Sequence, residues 1–360
     1  MLEEFIPNEI HATPAAIRET LTQARPVAEQ IAAAMRKQAP GRIFLIGNGT
    51  SLYSSLAAGY TARALAVPGA PLVSPMPAGD FRYFTPALAK DDIVVGISAS
   101  GEFRDVLAVF ERLRGINLCV GVTQVPGSSL TRLADFTLFA GGGPSHVPVM
   151  TKTYASTLTA LHALLLAFYQ ASEAYWQDLL ASADRCQAGI DAMEQLLPEI
   201  IPNIQHFEHA FHFGAGCGYA AALETSLKMK EMAMLHAEGA ETWEMASGPA
   251  IITGPQTLCV ALGTGGPGDA STLQVARSTY SWGVTLITLG LPALPKGDAK
   301  APAWHIPATA SAFECFASLS LVPPAALLAY KLARARGYDP NRPDWRERYH
   351  SQGMTHILGA

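Results

Sequence analysis

The stretch Gly41-Arg-Ile-Phe-Leu-Ile-Gly47-Asn-Gly49-Thr-Ser51 decides the fold, because an apolar run breaks into glycines and hydroxyls and then continues as a helical pattern. The same order of residue types returns at Ala210-Phe-His-Phe-Gly214-Ala-Gly216-Cys-Gly218. The two copies are offset by 167 positions, counted from Gly47 to Gly214. A repeat at a fixed offset indicates an internal duplication. Each copy predicts a strand, a glycine turn and a helix, an arrangement that binds anions at the helix N-terminus.

Strand and helix patterns alternate on both sides of this turn. Apolar runs bounded by turn residues predict strands at 43–46, 71–73, 93–97, 117–122 and 136–140. Helical patterns lie among them at 15–38, 52–66, 77–84 and 103–114, and the region from about 204 to 307 repeats the order. The predicted fold class is therefore α/β, with two parallel, doubly wound sheets, each flanked by helices as in a flavodoxin-like three-layer sandwich.

Two long helical patterns, 152–170 and 181–197, separate the halves, and Pro198 and Pro202 mark the boundary. A last helix, 312–335, ends at Gly337. We expect a first domain over 1–190 that includes the N-terminal helices, a second domain over 191–337, and a C-terminal tail over 338–360. A polar tail of this kind is expected to lie near the active site.

Composition limits the function. With 360 residues, 49% of them hydrophobic, the chain can bury two cores, and a net charge of −5 argues against nucleic acid as a partner. The start, Met1-Leu-Glu-Glu-Phe-Ile-Pro, lacks the features of a signal peptide, and no apolar stretch approaches about 18 residues free of polar groups. We expect a cytoplasmic protein with no membrane partner and with its five scattered cysteines reduced.

The first chemical signal is Ile97-Ser98-Ala99-Ser100-Gly101-Glu102, which follows an apolar strand and precedes a helix. Serine hydroxyls and backbone N–H groups at such a point both donate to phosphate oxygens. The alternative is an ordinary serine cap, with Glu102 helping in the first helical turn.

The second signal is Lys228 and Glu231, three residues apart on one predicted helix. A lysine beside a glutamate can tune the pKa of the carboxylate and steady an enolate oxygen. The alternative is a surface ion pair that contributes little.

Together these motifs resemble the sugar isomerase (SIS) family. The resemblance is carried in the family's order by Gly49-Thr-Ser51, Ile97 to Glu102, Pro126-Gly-Ser-Ser-Leu130, Thr151-Lys152 and Ala222-Leu-Glu-Thr-Ser-Leu-Lys-Met-Lys-Glu-Met-Ala-Met-Leu-His-Ala-Glu238. The chain is similar, over about 40–350, to the double-SIS isomerase module of glucosamine-6-phosphate synthase. It also resembles stand-alone aminosugar-phosphate deaminases and fructosamine-6-phosphate deglycases, so two tandem SIS domains are implied.

The resemblance implies roles for individual residues. It places the substrate phosphate at a loop made by Gly49, Thr50, Ser51, Ser98 and Ser100. Glu231 falls on the catalytic carboxylate that moves a proton between C1 and C2, and Lys228 lies one helical turn before it. Lys152 belongs to the family's Thr-Lys pair. The resemblance further implies a homodimer whose chains complete each other's sites, and chemistry that needs no cofactor or metal.

The departures from the family are also informative. Ser247 stands where the family has the histidine that assists ring opening, and serine cannot take a proton near neutral pH without a base. Ala99 and Phe103 replace a glutamine and a phosphate-binding threonine, and Met150 replaces the serine before Thr-Lys. Arg348 stands at the position of the tail lysine, and because arginine does not form a Schiff base under ordinary conditions, this argues against an imine mechanism through the tail.

Several other residues are candidates by position. His146 is the candidate substitute base, and Arg104 either pairs with the anion or is solvated. A tail set either covers an anionic sugar or is solvated: Arg346, Arg348, His350 and His356. His206, His209 and His212 recur every three residues but run into a strand, so we predict no metal site there.

Three functions remain open. The first is an enzyme that isomerises or deaminates a sugar phosphate, in which Glu231 shuttles a proton. The second is a deglycase of an amine-linked sugar phosphate, in which Glu231 acts at C2 while the amine leaves, and apolar residues near Met150 and Trp243 would suit a larger aglycone. The third is a non-catalytic sensor of sugar phosphates, favoured by the losses at 247 and in the tail. The sequence also leaves open whether the anion is a phosphate or a sulfonate.

Overall fold

The computed structural model describes residues 5–143, 145, 149–294, 301–308 and 310–341. Within these residues the chain divides into two compact units. The first-sheet unit contains residues 15–143, 145 and 152–180. The second-sheet unit contains residues 5–14, 149–151 and the described part of 181–341.

The first sheet has five parallel strands in the order β2-β1-β3-β4-β5. Its strands are β1 Arg42–Gly47, β2 Leu72–Pro77, β3 Ile93–Ile97, β4 Leu118–Thr123 and β5 Phe136–Phe139. The helices from the N-terminus to the one that follows β5 are α1 Phe5–Lys37, α2 Thr50–Leu65, α3 Ala78–Tyr83, α4 Arg104–Leu113, α5 Ser129–Leu133 and α6 Lys152–Phe168. The central strand, β3, is buried along its whole length, as its uninterrupted apolar sequence requires.

The second sheet also has five parallel strands, in the order β10-β9-β8-β6-β7. Its strands are β6 His209–Gly214, β7 His236–Glu241, β8 Thr257–Leu262, β9 Thr285–Leu289 and β10 Ala303–Ile306. The helices of this part of the chain are α7 Glu173–Ile204, α8 Cys217–Ala233, α9 Thr242–Ser247, α10 Asp269–Ser281 and α11 Ser318–Ala335. Its central strand, β8, is likewise fully buried.

The two sheets confirm the duplication. Taken from its other edge, the second sheet has the order of the first with every strand number raised by five. Gly49 before α2 has φ 54° and ψ −128°, and Gly216 before α8 has φ 55° and ψ −127°. Such positive φ values favour glycine, which explains why the repeat retains it. The predicted α/β class with two parallel doubly wound sheets is confirmed.

Each sheet has its own hydrophobic core, as the composition indicated. In the first, Phe44 packs edge-to-face on Phe81, with ring centroids 5.2 Å apart, and Phe110 lies in the same cluster. In the second, Phe211 and Phe213 lie in a separate cluster of buried residues. Burial of this apolar surface is the main favourable term in the folding of each sheet.

Several predicted boundaries were wrong. Helix α1 begins at Phe5, ten residues before the predicted start. Helix α7 continues through Pro198 and Pro202, which were predicted to end it. A proline inside a helix costs one hydrogen bond, but Leu197, Ile200 and Ile204 are all buried on this helix. Their burial outweighs the loss, so the boundary between the halves is not a break in the helix.

The C-terminal helix also differs from its prediction. Helix α11 begins at Ser318, after a short 3-10 turn at Glu314–Phe316, instead of at residue 312. The segment Glu314–Ala335 is long and apolar enough to cross a membrane by length and composition, and 94% of its apolar window is buried inside the protein. The core helix of a soluble protein passes the same test, so this segment is weak evidence for a membrane span.

Candidate active site

The loop after β3 presents two unpaired backbone donors. Ser98 N–H donates to the Val122 carbonyl (3.1 Å), and Gly101 N–H donates to the Ser98 carbonyl (2.9 Å). Between them, the N–H groups of Ala99 and Ser100 have no hydrogen-bond partner in the part of the chain that the structure describes. The Ser98 hydroxyl accepts from Phe103 N–H at 3.3 Å. The loop therefore offers amide N–H groups and serine hydroxyls at one place, and both can donate to an anion.

The serine-cap alternative does not describe this loop. Helix α4 has Phe103 at its N-cap position, with no side-chain cap hydrogen bond. The Glu102 carboxylate does not reach back to this helix but accepts from Ser129 N–H at 2.7 Å. This hydrogen bond, together with nearby Arg132, holds the pKa of Glu102 below its usual value. Glu102 thus ties the loop to the turn after β4.

The loop after β1 lies at the same edge of the sheet. Strands β1 and β3 are parallel neighbours, and β2 lies on the other side of β1, so the chain leaves β1 and β3 at the point where the strand order reverses. Open α/β sheets bind ligands at this point. Thr50 and Ser51 begin α2 and are mostly buried. The Asn48 side chain accepts from Ala78 N–H at 2.8 Å and fixes the loop. The sheet thus places Gly49, Thr50 and Ser51 at the same edge as Ser98 and Ser100.

The second sheet contains a structural twin of the β3 loop. Gly263 N–H donates to the Leu289 carbonyl at 2.8 Å, as Ser98 does to Val122, so Gly263 corresponds to Ser98. The next two amides, of Thr264 and Gly265, donate to the two oxygens of the Asp269 carboxylate, each at 2.9 Å. The Thr264 hydroxyl donates to Glu314 at 3.0 Å. The same pair of amides is therefore open in the first sheet and occupied by a carboxylate in the second.

Helix α8 buries a charged cluster. Lys228 Nζ lies 2.6 Å from Glu231 Oε2 and 3.0 Å from Glu224 Oε1. The Lys228 and Glu224 side chains are 0% exposed, whereas Glu231 is 30% exposed. Burial lowers the pKa of Lys228, but the attraction of Glu224 and Glu231 outweighs it and the pKa is raised. Lys228 is therefore a buried ammonium that holds one reachable carboxylate, which is not the surface pair of the alternative interpretation.

The described residues place no base beside Ser247. It is exposed at the end of α9, and its hydroxyl donates to the Trp243 carbonyl in the same helix at 2.7 Å. Trp243 itself is 50% exposed. Since no described base lies within hydrogen-bond distance of the Ser247 hydroxyl, the structure gives this serine no means of activation.

The other predicted residues have varied environments. Phe103 packs against the first core, which fits the loss of a phosphate contact at this position. Arg104 is 51% exposed, with its Nε 3.9 Å from Asp105. Met150 is partly buried, and so is Lys152, the first residue of α6. A further set lies outside the described residues: His146, Arg346, Arg348, His350 and His356.

The histidines of β6 are separated by the strand. His209 is exposed and lies against His236, with ring centroids 5.8 Å apart. His212 is buried, and its Nδ1 lies 2.8 Å from the Thr225 hydroxyl. Residues three apart on a strand face opposite sides of the sheet. These two histidines therefore do not share a metal site.

Sequence reasoning missed several residues of these sites. Glu224 lies four residues before Lys228 on the same helix face, and this spacing could have identified it from the sequence as a partner of Lys228. Gln124 directly follows β4, and its backbone N–H donates to the Ala99 carbonyl. Asp269 was missed because the glycine-rich loop before it lacks the serines of its twin.

Comparison with known proteins agrees with this geometry. The sequence profile of the SIS domain matches residues 37–167. Residues 37–167 of this chain are therefore a SIS domain. Glutamine–fructose-6-phosphate aminotransferase (isomerizing) of Clostridium tetani is 28% identical over 359 residues, which cover 95% of this chain and 58% of that protein. The chain thus spans less than two thirds of the length of this curated relative.

Solved structures share the whole fold. The C-terminal domain of glucosamine-fructose-6-phosphate aminotransferase from Francisella tularensis matches with a TM-score of 0.81 and 22% identity, over 94% of this chain and 97% of that one. Glucosamine-6-phosphate deaminase from Thermotoga maritima matches with a TM-score of 0.73 and 19% identity, over 93% and 96%. The predicted family and the two tandem SIS folds are confirmed.

Proposed function

We propose that this SIS protein is an enzyme that moves a proton between C1 and C2 of a sugar phosphate, with an amino sugar as the favoured substrate. The observation that carries the proposal is the fully buried Lys228, which holds the partly exposed Glu231. Burying an ammonium is costly unless it is paired, and here the pairing leaves one carboxylate within reach of solvent.

The loop after β3 supports an anionic substrate. Its two open amides, of Ala99 and Ser100, correspond to the amides that bind Asp269 in the second sheet. The chain therefore contains an example of a carboxylate held by this backbone geometry. Ser98, Ser100 and Ser51 add hydroxyl groups that can donate to phosphate oxygens. The curated relative is named for its action on fructose 6-phosphate, which agrees with a phosphorylated sugar.

The proposed chemistry follows from these groups. The Glu231 carboxylate takes the proton from C2 of an open-chain aldose phosphate, and a proton passes from the C2 oxygen to the C1 oxygen. Glu231 then returns its proton to C1, which gives the ketose. Where C2 carries an amino group, the same proton transfer gives an imine at C2, which water hydrolyses to the ketose and ammonia. A structural neighbour is named as a deaminase. Lys228, fully buried, orients Glu231 and supplies positive charge beside it.

A sensor of sugar phosphates is the second candidate. The observation that favours it is Ser247, whose hydroxyl is occupied by the Trp243 carbonyl and has no described base beside it. An enzyme with this serine acts on open-chain sugars or uses another ring-opening group. Both candidates use the same anion loop, so binding does not separate them, whereas turnover does.

We also propose a homodimer. Three large apolar side chains of the second-sheet unit are well exposed, namely Trp243 (50%), Ile251 (83%) and Ile252 (71%). Exposed apolar residues that lie close in sequence favour a protein contact. Light scattering coupled to size-exclusion chromatography measures the mass directly, and a mass of one chain would contradict this part.

Proton NMR in heavy water tests the reaction. The panel contains sugar phosphates, aminosugar phosphates, fructosamine phosphates and sulfonated sugars. We expect loss of the C1 or C2 proton signal with one class, and a decrease of about a thousand-fold in this rate for Glu231→Gln, with binding retained. Glu238→Gln, an exposed carboxylate in β7, is the matched control. Binding without exchange would favour the sensor, and neither binding nor exchange would contradict both candidates.

A further inference from the structure

The two open amides of the β3 loop belong to peptide groups whose carbonyls are held. The Ser98 carbonyl accepts from Gly101 N–H at 2.9 Å. The Ala99 carbonyl accepts from the Thr123 hydroxyl and from Gln124 N–H, each at 3.1 Å. In a planar trans peptide, the N–H points opposite to the preceding C=O. Holding the Ala99 carbonyl therefore fixes the direction of the Ser100 N–H.

We propose that Thr123 and Gln124, here called the β4 clamp, are positioning residues that aim the Ser100 N–H at the bound anion. The inference rests on the proposed function, which supplies the anion. Thr123 is 1% exposed, so water does not compete for its hydroxyl. Its oxygen accepts from Val125 N–H at 3.2 Å, which leaves its hydrogen for the Ala99 carbonyl. Both partners of the hydroxyl are thus backbone groups at the end of β4 and in the β3 loop.

The clamp is present only where the loop is open. Val122 and Leu289 correspond, since they accept from Ser98 and Gly263 respectively. The residue after each is Thr123 in the first sheet and Gly290 in the second. Gly290 has no hydroxyl, and the second loop already has the Asp269 carboxylate on its amides. The open loop therefore has an orienting group that the closed loop lacks.

The side chain of Gln124 extends the clamp to α6. Its Oε1 accepts from the Thr153 hydroxyl at 3.0 Å, and Thr153 directly follows Lys152 at the start of that helix. Its Nε2 is buried and has no hydrogen-bond partner in the described part of the chain. If the amide oxygen and nitrogen are exchanged, the oxygen becomes the buried atom that has no partner in the described part of the chain. One atom of this amide therefore lacks a partner under either assignment. Gln124 thus joins the loop to the helix that carries Lys152.

The test removes the hydroxyl of Thr123 while keeping its shape. Thr123→Val is compared with Thr123→Ser, which restores the hydroxyl, and with Thr159→Val. Thr159 is a matched control because its buried hydroxyl donates to the Ala155 carbonyl inside α6. The readouts are the affinity for inorganic phosphate, the amide chemical shift of Ser100 without ligand, the KM and kcat on the sugar phosphate turned over, and the melting temperature.

We expect Thr123→Val to weaken phosphate binding and raise KM about five-fold, to leave kcat unchanged, and to move the Ser100 amide signal. Thr123→Ser should return the phosphate affinity, the KM and the Ser100 amide signal to their wild-type values. The proposal is overturned if Thr123→Val binds phosphate like the wild type while its melting temperature falls as that of Thr159→Val does. The Thr123 hydroxyl would then have only a structural role. If the wild-type protein binds no phosphate, the anion loop of the proposed function fails, and the clamp fails with it.

Discussion

The loops after β3 and β8 occupy the same position in the two sheets, and one difference between them lies at the start of the following helix. The first residue of the following helix is Arg104 in the first sheet and Asp269 in the second. Asp269 turns back and occupies the two loop amides, whereas Arg104 leaves them open and extends a cation toward solvent. The two loop amides are therefore occupied in the second sheet and, among the described residues, open in the first.

The helices after β1 and β6 also differ, and here the charged groups lie on the helix of the second sheet. At the repeat offset of 167 residues, Lys228 and Glu231 of α8 correspond to Thr61 and Ala64 of α2. Thr61 makes a neutral hydrogen bond to His162 at 2.8 Å, whereas Lys228 joins two carboxylates. The open loop thus belongs to one sheet and the buried charges to the other, so the duplicated halves differ in the polar groups that they carry.

The largest expected effect tests the helices. Lys228→Met removes the ammonium from between two carboxylates and should lower the free energy of unfolding by about 3–5 kcal/mol. Thr61→Val, at the corresponding position of α2, should cost about 1 kcal/mol because it removes one neutral hydrogen bond. Urea denaturation of both variants measures the difference. Equal losses would mean that the buried charges have no special weight.

The next effect tests the loops by exchanging their chemistry. Arg104→Asp places a carboxylate where Asp269 stands in the second sheet, so it should occupy the amides of Ala99 and Ser100. We expect phosphate affinity to fall by about 10- to 100-fold, measured by calorimetry. Arg104→Ala is the control, since it removes the cation without adding an internal anion. If the alanine variant loses as much affinity as the aspartate variant, the cation alone accounts for binding.

Acid should destabilise both units through one buried histidine in each. Burial lowers the pKa of His162 to about 3, and burial together with nearby Lys230 lowers the pKa of His212 to about 3. A pKa below the unfolded value means that stability is full above about pH 6.5 and falls as the pH decreases toward the folded value. Between pH 7 and pH 5 we expect a loss of roughly 2 kcal/mol per histidine.

Urea midpoints measured at both pH values test this. His162→Gln and His212→Gln should each remove about half of the pH dependence. A dependence that survives both substitutions would assign the effect to carboxylates instead.

The smallest expected effect comes from removing the carboxylate that occupies the amides of the second loop. Asp269→Ala leaves the amides of Thr264 and Gly265 without their carboxylate and should cost about 1–2 kcal/mol of stability. Added inorganic phosphate should recover part of the lost melting temperature by binding to the vacated amides. Asp269→Asn is the milder comparison, because its amide oxygen still accepts one hydrogen bond. No recovery with phosphate would show that this loop is only a structural turn.

The sequence was sufficient where the local pattern and the tertiary structure agree. Strand β3 was predicted at its observed limits, 93–97, because a fully buried parallel strand is a continuous apolar run between turn residues. The glycines at 49 and 216 were informative for a similar reason, since their positive φ values exclude most other residues. These features depend on only a few neighbouring residues.

The remaining features depend on contacts that a sequence does not show. Helical spacing placed Lys228 and Glu231 on one face but did not show that this face is buried. Pro198 and Pro202 argued for a helix end, and tertiary burial of α7 overrode them. Asp269 is an ordinary first-turn acid in the sequence, and only the fold shows that it occupies the loop.

Whether the β3 loop binds an anion is tested by titrating isotope-labelled protein with inorganic phosphate and following the backbone amide signals. We expect the amides of Ala99 and Ser100 to shift together and saturate, while those of Thr264 and Gly265 stay in place. Equal shifts at both loops, or shifts at Thr264 and Gly265 alone, would contradict this expectation.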